Sequence, residues 1–283
     1  MKAKTLFISD LDGTLLTPRQ NLSPFTVKTI NDLTEKGMIF SYATARSHHS
    51  ASRVTQGLQM HLPLIFHNGV FIMENITWKK LHACYFTKEE AARILQLLQS
   101  RGVEPMIYTS INDVSKNSYV PEKISRGIAN FIKTRPNDPR HRPVTEDQML
   151  DGDIFYFLCI DDDAKLAPCF EKLKQEFQCT YQIDMYDGEH WLEIMPPIAT
   201  KANAARKLKE MLGCDKIVAF GDGINDLPLF EIADEKYAME NAVPELKKAA
   251  TAVIGSNEKD GVAKWLLENW DKYISFHPVP LFA

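Results

Sequence analysis

Hydrophobic positions along the chain form two patterns. Short runs of consecutive apolar residues, which are typical of strands buried on both faces of a parallel sheet, occur at residues 6–9, 38–43 and 63–66. Between these runs the apolar residues recur at helical spacing, as at Val27 and Ile30, behind a Ser-Pro start signal. Strand–helix–strand–helix–strand at this spacing predicts right-handed crossovers and a parallel sheet.

The pattern changes near residue 83. A capping box at residues 87–90 opens a predicted helix, and a polar stretch at 112–152, broken by prolines, carries a short predicted helix at 121–131. Further strands, a helix at 163–177 and a hairpin over 180–195 follow. Antiparallel pairs mixed with helices predict an α+β unit. We therefore expect an inserted α+β cap domain, residues 83–195, within a discontinuous Rossmann-like α/β core, residues 1–82 and 196–283.

Polar side chains follow the carboxyl ends of the predicted parallel strands. After the cap, Thr200 caps a predicted helix that starts at Lys201, and a buried strand at 216–220 ends in Gly-Asp-Gly-Ile-Asn-Asp. Because ligands of parallel α/β sheets bind beyond the carboxyl ends of the strands, one crevice is expected to collect several of these side chains. They are Asp10, Asp12, Thr44, Lys201, Asp222, Asn225 and Asp226.

Two of these features have both a chemical and a structural interpretation. Asp10 and Asp12 are like charges that a divalent cation and a proton-transfer role would reconcile, or else they satisfy backbone donors in an Asx-type turn. Lys201 is a cation at a helix N-terminus, where an anion bridging both would remove the conflict with the helix dipole. Its alternative is a solvated surface lysine.

Composition narrows the class of protein. The chain has 45% hydrophobic and 25% charged residues and a net charge of −4, without a basic stripe, so nucleic acid is not an expected partner. No apolar run reaches the roughly 20 residues that span a bilayer, and Met1 leads directly into the first strand without a secretory segment. Five scattered cysteines indicate reduced thiols. A cytoplasmic protein is expected.

Four motifs in order resemble those of one enzyme family. They are Asp-Leu-Asp-Gly-Thr at 10–14, Ala-Thr-Ala-Arg at 43–46, a lysine after the insertion, and Gly-Asp-Gly-Ile-Asn-Asp at 221–226. This order resembles the haloacid dehalogenase-like phosphohydrolases, within them the Cof-like sugar-phosphatase branch. The resemblance implies a Mg²⁺-dependent phosphoric monoester hydrolase that acts through an aspartyl-phosphate. Its substrate would be a small phosphorylated metabolite: a sugar phosphate, a nucleotide or a phosphorylated cofactor.

The resemblance also implies residue roles. Asp10 would be the nucleophile, Asp12 the general acid and base, and Asp10, Asp222 and the Asp12 carbonyl the metal ligands. Asp226 would orient the metal waters or Lys201 from a second shell. The residues implied to contact the phosphate or substrate are Leu11, Thr44, Ala45, Lys201 and Asn225.

Some positions stay open. Ala45 replaces the usual glycine of the family and, because alanine adopts positive φ less easily, predicts a loop of different shape. Arg46 either meets the substrate or pairs with a carboxylate. Tyr186 and Trp191, in the predicted hairpin of the cap, either line a sugar pocket or pack. Asn68-Gly69 is predicted to be a hairpin turn rather than a ligand.

Two other functions fit the same motifs. One is a phosphotransferase or sugar phosphomutase that uses the same aspartyl-phosphate, and the other is a non-catalytic phosphate-sensing protein on the same fold. The intact carboxylates and Lys201 count against the second, since a binding protein does not need a nucleophile beside a metal.

Overall fold

The computed structural model describes residues 3–183 and 188–273, which fall into two compact units. One unit, the core, joins the chain up to Ala83 with the chain from Thr200 onward, and the other is the continuous stretch Cys84–Ala199. The boundaries predicted from the sequence lie after residue 82 and before residue 196. The role of the inserted unit as a cap stays a prediction. Within the described residues, no helix combines the length and apolar character that crossing a bilayer requires.

The first half of the core carries the predicted strands and helices, together with one strand, Lys80–Ala83, that the sequence pattern did not indicate. Ser23 and Ser47 cap the two helices, since their side chains accept the N–H groups of Thr26 and Ser50 at 3.0 and 3.3 Å. The elements are β1 Thr5–Ser9, α1 Pro24–Glu35, β2 Ile39–Tyr42, α2 His48–Val54, β3 Leu64–Phe66, β4 Phe71–Met73 and β5 Lys80–Ala83.

The inserted unit is an α+β layer built on one six-stranded sheet. Its elements are α3 Lys88–Ser100, β6 Met106–Ile111, β7 Val114–Tyr119, α4 Arg126–Lys133, β8 His141–Pro143, β9 Asp153–Asp161, α5 Asp163–Leu173, β10 Gln178–Ile183 and β11 His190–Met195. The strand order is β10-β11-β9-β6-β7-β8, antiparallel except for the parallel pair β7 and β8. Buried residues of α3 and α5, among them Ile94 and Leu166, pack with Phe157 of β9 in one hydrophobic core.

Two predictions inside this unit need correction. The polar stretch after residue 112 contains β7 and β8, which the sequence pattern missed because Val114–Tyr119 has few apolar residues. The short helix begins at Arg126 rather than near residue 121, because the Ser125 side chain caps it by accepting the Ile128 N–H at 3.1 Å. The capping box of Thr87 and Glu90 at α3 is confirmed.

The second half of the core completes a parallel sheet. Its elements are α6 Lys201–Leu212, β12 Lys216–Gly221, α7 Leu227–Ile232, β13 Glu235–Met239, α8 Pro244–Ala249, β14 Ala252–Ile254 and α9 Gly261–Asn269. The five strands run in the order β14-β13-β12-β1-β2, and every pair is parallel. This confirms the predicted fold class, and β1 and β12 lie side by side at its centre.

The third predicted strand behaves differently from the expectation. β3 is joined to the end of β2 by an isolated parallel bridge between Ala43 and Ile65 rather than by a full ladder. It pairs antiparallel with β4, and β4 with β5, in a separate three-stranded sheet. The predicted turn at Asn68-Gly69 explains the reversal, because these residues have φ angles of 53° and 106°, which glycine and asparagine tolerate.

Candidate active site

The centre of the site is the end of β1. Asp10 follows the strand directly, and its backbone N–H donates to the carbonyl of Phe220 at 3.0 Å. Because Ser9 is in register with Phe220, the ends of β1 and β12 lie together, and the loop that carries Asp222 starts beside Asp10. Asp10 is only 6% exposed. A carboxylate buried this deeply needs a charged partner.

Lys201 supplies that partner. As the first residue of α6 it is 1% exposed, and its Nζ donates to Asp10 Oδ1 and to Asp226 Oδ1, both at 2.7 Å. The alternative of a solvated surface lysine is therefore wrong. Burial alone would lower the pKa of Lys201, but the two carboxylates more than offset this and raise it, so the side chain is an ammonium ion.

Three carboxylates surround this single ammonium. Ligand oxygens of Asp10, Asp222 and Asp226 all lie within 4.8 Å of one another. Burial raises the pKa of Asp10 well above its usual range, against the opposing effect of Lys201, and the other two carboxylates raise it further. Burial is also the main cause that raises the pKa of Asp222 to about 6. The cluster has more negative than positive charge, so a divalent cation would relieve it.

The hydrogen bonds show which oxygens are already engaged. Both carboxylate oxygens of Asp226 accept hydrogen bonds. Oδ1 accepts from Lys201, and Oδ2 accepts the backbone N–H groups of Asp222 and Gly223 at 3.0 and 3.1 Å. Asp222 Oδ1 accepts from the Thr14 hydroxyl at 2.7 Å. Among the described residues, no hydrogen bond reaches Asp10 Oδ2 or Asp222 Oδ2. These two oxygens suit a hard cation, and Asp226 holds the frame around them.

Gly13 allows the two strand ends to approach this closely. Its φ is +74°, and a Cβ atom at this position would lie 2.1 Å from Asp222 Oδ2. Thr14, next in the chain, holds the other oxygen of the same carboxylate. Both residues belong to the Asp-Leu-Asp-Gly-Thr motif, but neither was assigned a role from the sequence. Their position directly after two predicted metal-ligating aspartates was the available signal.

Asp12 lies outside the carboxylate cluster. It sits in a wide turn, Leu11–Leu15, and its side chain is 46% exposed. Arg46 forms a bidentate ion pair with this carboxylate. Its Nε donates to Asp12 Oδ2 at 2.7 Å and its Nη2 donates to Asp12 Oδ1 at 2.6 Å. Gln20 accepts a further hydrogen bond from Arg46 at 3.0 Å. Of the two options left open for Arg46, the structure shows the carboxylate pair.

The loop after β2 connects to the same region. Thr44 is buried, its Oγ1 accepts the Arg46 N–H at 3.1 Å, and its carbonyl accepts the Asn68 N–H at 2.9 Å. Asn225 is exposed and donates to Asn68 Oδ1 at 3.2 Å, so the hairpin turn lies between these two predicted phosphate ligands. Ala45 is exposed and is not among the described residues with positive φ, so it causes no strain in this loop.

The remaining predicted residues lie elsewhere. Leu11 is fully buried at the start of the turn, where its carbonyl accepts the Leu16 N–H at 2.8 Å. Trp191, in β11 of the inserted unit, packs edge-to-face against Phe131 of α4 at 5.8 Å between ring centroids. Its buried indole N–H has no hydrogen-bond partner among the described residues. Tyr186 lies outside the described residues.

A parallel α/β core with acidic residues at its central strand ends, interrupted by a large α+β unit, defines the haloacid dehalogenase-like class. The sequence profile of the haloacid dehalogenase-like hydrolases matches residues 7–266. The chain therefore belongs to this family, as its motifs had indicated.

Relatives and solved structures agree with this assignment. The chain is 27% identical over 279 residues to the 5-amino-6-(5-phospho-D-ribitylamino)uracil phosphatase YwtE of Bacillus subtilis, covering 91% of this chain and 95% of that protein. It is 26% identical over 273 residues to the pyridoxal phosphate phosphatase YbhA of Escherichia coli, with the same coverage of 91% and 95%. The crystal structure of TM0651 from Thermotoga maritima matches with a TM-score of 0.77 and 26% identity, covering 98% of this chain and 99% of that one. These names support the prediction of a phosphoric monoester hydrolase.

Proposed function

We propose that this protein is a Mg²⁺-dependent phosphatase that hydrolyses phosphomonoesters of small metabolites through an aspartyl-phosphate on Asp10. The observation that carries the proposal is the buried Lys201 ammonium held between Asp10 and Asp226, with Asp222 beside them. The ammonium binds Asp10 Oδ1 and so fixes the orientation of the carboxylate that attacks phosphorus.

The donor set fits a hard divalent cation. Asp10, Asp222 and the backbone carbonyl of Asp12 would hold it, and Asp226 and Thr14 would keep these ligands in place. A Mg²⁺ ion bound there supplies positive charge against the phosphate oxygens. Lys201, the side chain of Thr44 and the backbone N–H of Ala45 are the groups of the protein that we assign to the remaining phosphate charge.

The reaction then has two steps. The Asp10 carboxylate attacks phosphorus, the P–O bond to the alcohol breaks, and the leaving oxygen takes a proton from Asp12. In the second step Asp12 takes a proton from water, the water oxygen attacks phosphorus, and the Asp10–phosphorus bond breaks to release inorganic phosphate. Because the displacement is split into two steps, the Asp12 side chain acts as the acid in the first step and as the base in the second.

The pair between Arg46 and Asp12 bears on this cycle. A carboxylate held by two charged hydrogen bonds is a poor proton carrier, because both of its oxygens are engaged. We propose that a polar group of the substrate draws the Arg46 guanidinium away and so releases Asp12. Arg46 thereby becomes a substrate contact, which is the other of the two options left open by the sequence.

The substrate proposed is a sugar phosphate or a phosphorylated cofactor. This rests on the relatives, which are named for a phosphoribityl-aminouracil and for pyridoxal phosphate. We place the discrimination between substrates in the inserted unit, with Tyr186 and Trp191 as contacts. A cytoplasmic location is proposed with it, since such metabolites are found there.

A chelator experiment tests the proposal. Hydrolysis of a panel of phosphorylated metabolites should cease in EDTA and return with Mg²⁺, while Ca²⁺ should support it poorly because its coordination shell is larger and less regular. The matched variant Asp10→Asn, which keeps the volume and removes the attacking oxygen, should lose several orders of magnitude in turnover. Full activity in EDTA, or a tenth of normal turnover in the variant, would contradict the mechanism.

The same assays separate the other two functions. A phosphotransferase would pass the phosphoryl group to an added sugar phosphate, which appears as a bisphosphate product instead of inorganic phosphate. A phosphate sensor would bind phosphate and show no turnover with any member of the panel.

A further inference from the structure

A third segment of the core contacts both of the turns that carry the predicted metal ligands. This segment, residues 240–243, follows β13. The Asn241 side chain donates from Nδ2 to the carbonyl of Gly13 at 2.7 Å. The Val243 backbone N–H donates to the carbonyl of Asp222 at 2.9 Å. Four consecutive residues therefore connect the turn of Asp12 and Gly13 to the loop of Asp222.

Asn257 completes this connection. Its backbone N–H donates to Asn241 Oδ1 at 3.0 Å, which fixes the orientation of that amide so that Nδ2 faces Gly13. Its own side chain, on a residue only 8% exposed, donates to the buried carbonyl of Leu16 at 2.8 Å. The two asparagines thus hold the turn at Gly13 and again just beyond its end.

The distance between the Gly13 turn and the Asp222 carboxylate can change very little. Gly13 and Asp222 are so close that a single Cβ atom would collide with the carboxylate, and Thr14 bonds the same carboxylate from the same turn. Mg²⁺ demands oxygen ligands at about 2.0–2.1 Å in near-octahedral geometry. A small displacement of the turn would therefore separate the Asp12 carbonyl from Asp222 without unfolding the core.

We infer that Asn241 and Asn257 are positioning residues that set the distance between the turn of Asp12 and the carboxylate of Asp222 for metal binding. Neither asparagine belongs to the predicted ligand set, and both act through backbone carbonyls. The inference rests on the proposed function in one respect, that a divalent metal binds at Asp10 and Asp222.

The experiment measures metal binding directly. Protein freed of metal with EDTA is titrated with Mn²⁺ by calorimetry, and thermal unfolding is followed in EDTA. Asn241→Asp keeps the acceptor for Asn257 but replaces the donor with a charge facing the Gly13 carbonyl. Asn75→Ala is the matched control, because Asn75 also donates from Nδ2 to a backbone carbonyl, that of Met60 at 2.7 Å, within the same unit.

We expect Asn241→Asp and Asn257→Ala to weaken Mn²⁺ binding by about 10–100-fold, as loss of groups that orient metal ligands usually does. The control should keep wild-type affinity. The activity of the two variants should recover at high Mg²⁺ concentration, because a weakened metal site can still be saturated. A damaged fold would not recover in this way. Asn241→Ala replaces the aspartate variant if that variant does not fold.

Two results would overturn the inference in distinguishable ways. If the wild type binds Mn²⁺ and the asparagine variants bind it equally well, the two residues only support the fold. If the wild type binds no Mn²⁺ and shows no metal-dependent turnover, the proposed function itself fails and the inference fails with it.

Discussion

Replacing Lys201 by methionine tests the electrostatics of the whole site. The substitution keeps a long side chain and removes the charge that Asp10 and Asp226 share. At 2.7 Å and an effective dielectric constant of about 20, each pair has a gross attraction of about 6 kcal/mol. Much of this offsets the desolvation of the charges, and removing one partner of a buried ion pair costs about 3–5 kcal/mol. We expect a loss of that size in the free energy of unfolding at neutral pH.

The assay is urea unfolding of the wild type, Lys201→Met and a matched control. Lys28→Met removes the same charge from a pair of nearly the same length, because Lys28 Nζ lies 2.6 Å from Asp32 Oδ2. The side chains of that pair are 75% and 48% exposed, so the control should lose less than about 1 kcal/mol. The comparison isolates burial as the cause of the difference.

The pH dependence has a defined sign. Burial already raises the pKa of Asp10 above its unfolded value, and removal of the ammonium raises it further. A group with a raised folded pKa binds its proton in the folded state first, so the destabilisation in Lys201→Met should shrink as the pH falls from neutral to about 5. A loss no larger than that of the control, or one that grows on acidification, would show that the buried charges do not interact as described.

Three further predictions concern the other parts of the site. Asp12→Thr should slow hydrolysis by about 10²–10⁴-fold, less with 4-nitrophenyl phosphate, and phosphorylated protein should accumulate on quenching; equal losses for all substrates without a trapped intermediate would exclude an acid–base role. Gly13→Ala should abolish metal-dependent turnover, because the added Cβ atom collides with Asp222. Gly102→Ala is the control: Gly102 has a φ of +67°, and a Cβ atom there would have no atom within 4 Å, so the substitution should cost only about 1–2 kcal/mol of stability in urea unfolding. Trp191→Ala should change kcat/KM unequally across a substrate panel, by about 10–200-fold in relative preference, and a uniform loss would show that the ring only packs against its neighbours.

Much of the core followed from local patterns in the sequence. The start of α6 at Lys201 was predicted because Thr200 is a strong capping residue, and its side chain does accept the Asn203 N–H at 3.0 Å. The meeting of Asp10 with Asp222 followed from the rule that parallel strands bring their carboxyl ends to one edge. This second expectation requires only that β1 and β12 are neighbours in the sheet. It does not depend on the order of the other strands.

The remaining features depend on tertiary geometry that no local pattern carries. The burial of Lys201 depends on partners 191 and 25 positions away in the chain, and the bidentate pair of Arg46 with Asp12 on a separation of 34 positions. Side-chain direction at such separations depends on register and turn shape. The strand Val114–Tyr119 was missed for a different reason: its alternation is too polar to be distinguished from a loop.

The division of the chain between the two units sets an order for folding during synthesis. The inserted unit is one continuous stretch, so all of its sheet contacts can form once its last strand has left the ribosome. The core cannot do the same, because β1 pairs with β12 across a separation of 211 residues. Until that second half appears, β1 has an unpaired edge and Asp10 has neither its ammonium nor its neighbouring carboxylates. Chains that stop early would therefore expose an unpaired, apolar strand edge, which favours aggregation and chaperone binding. The charge cluster around Asp10 would form only at the last stage of assembly.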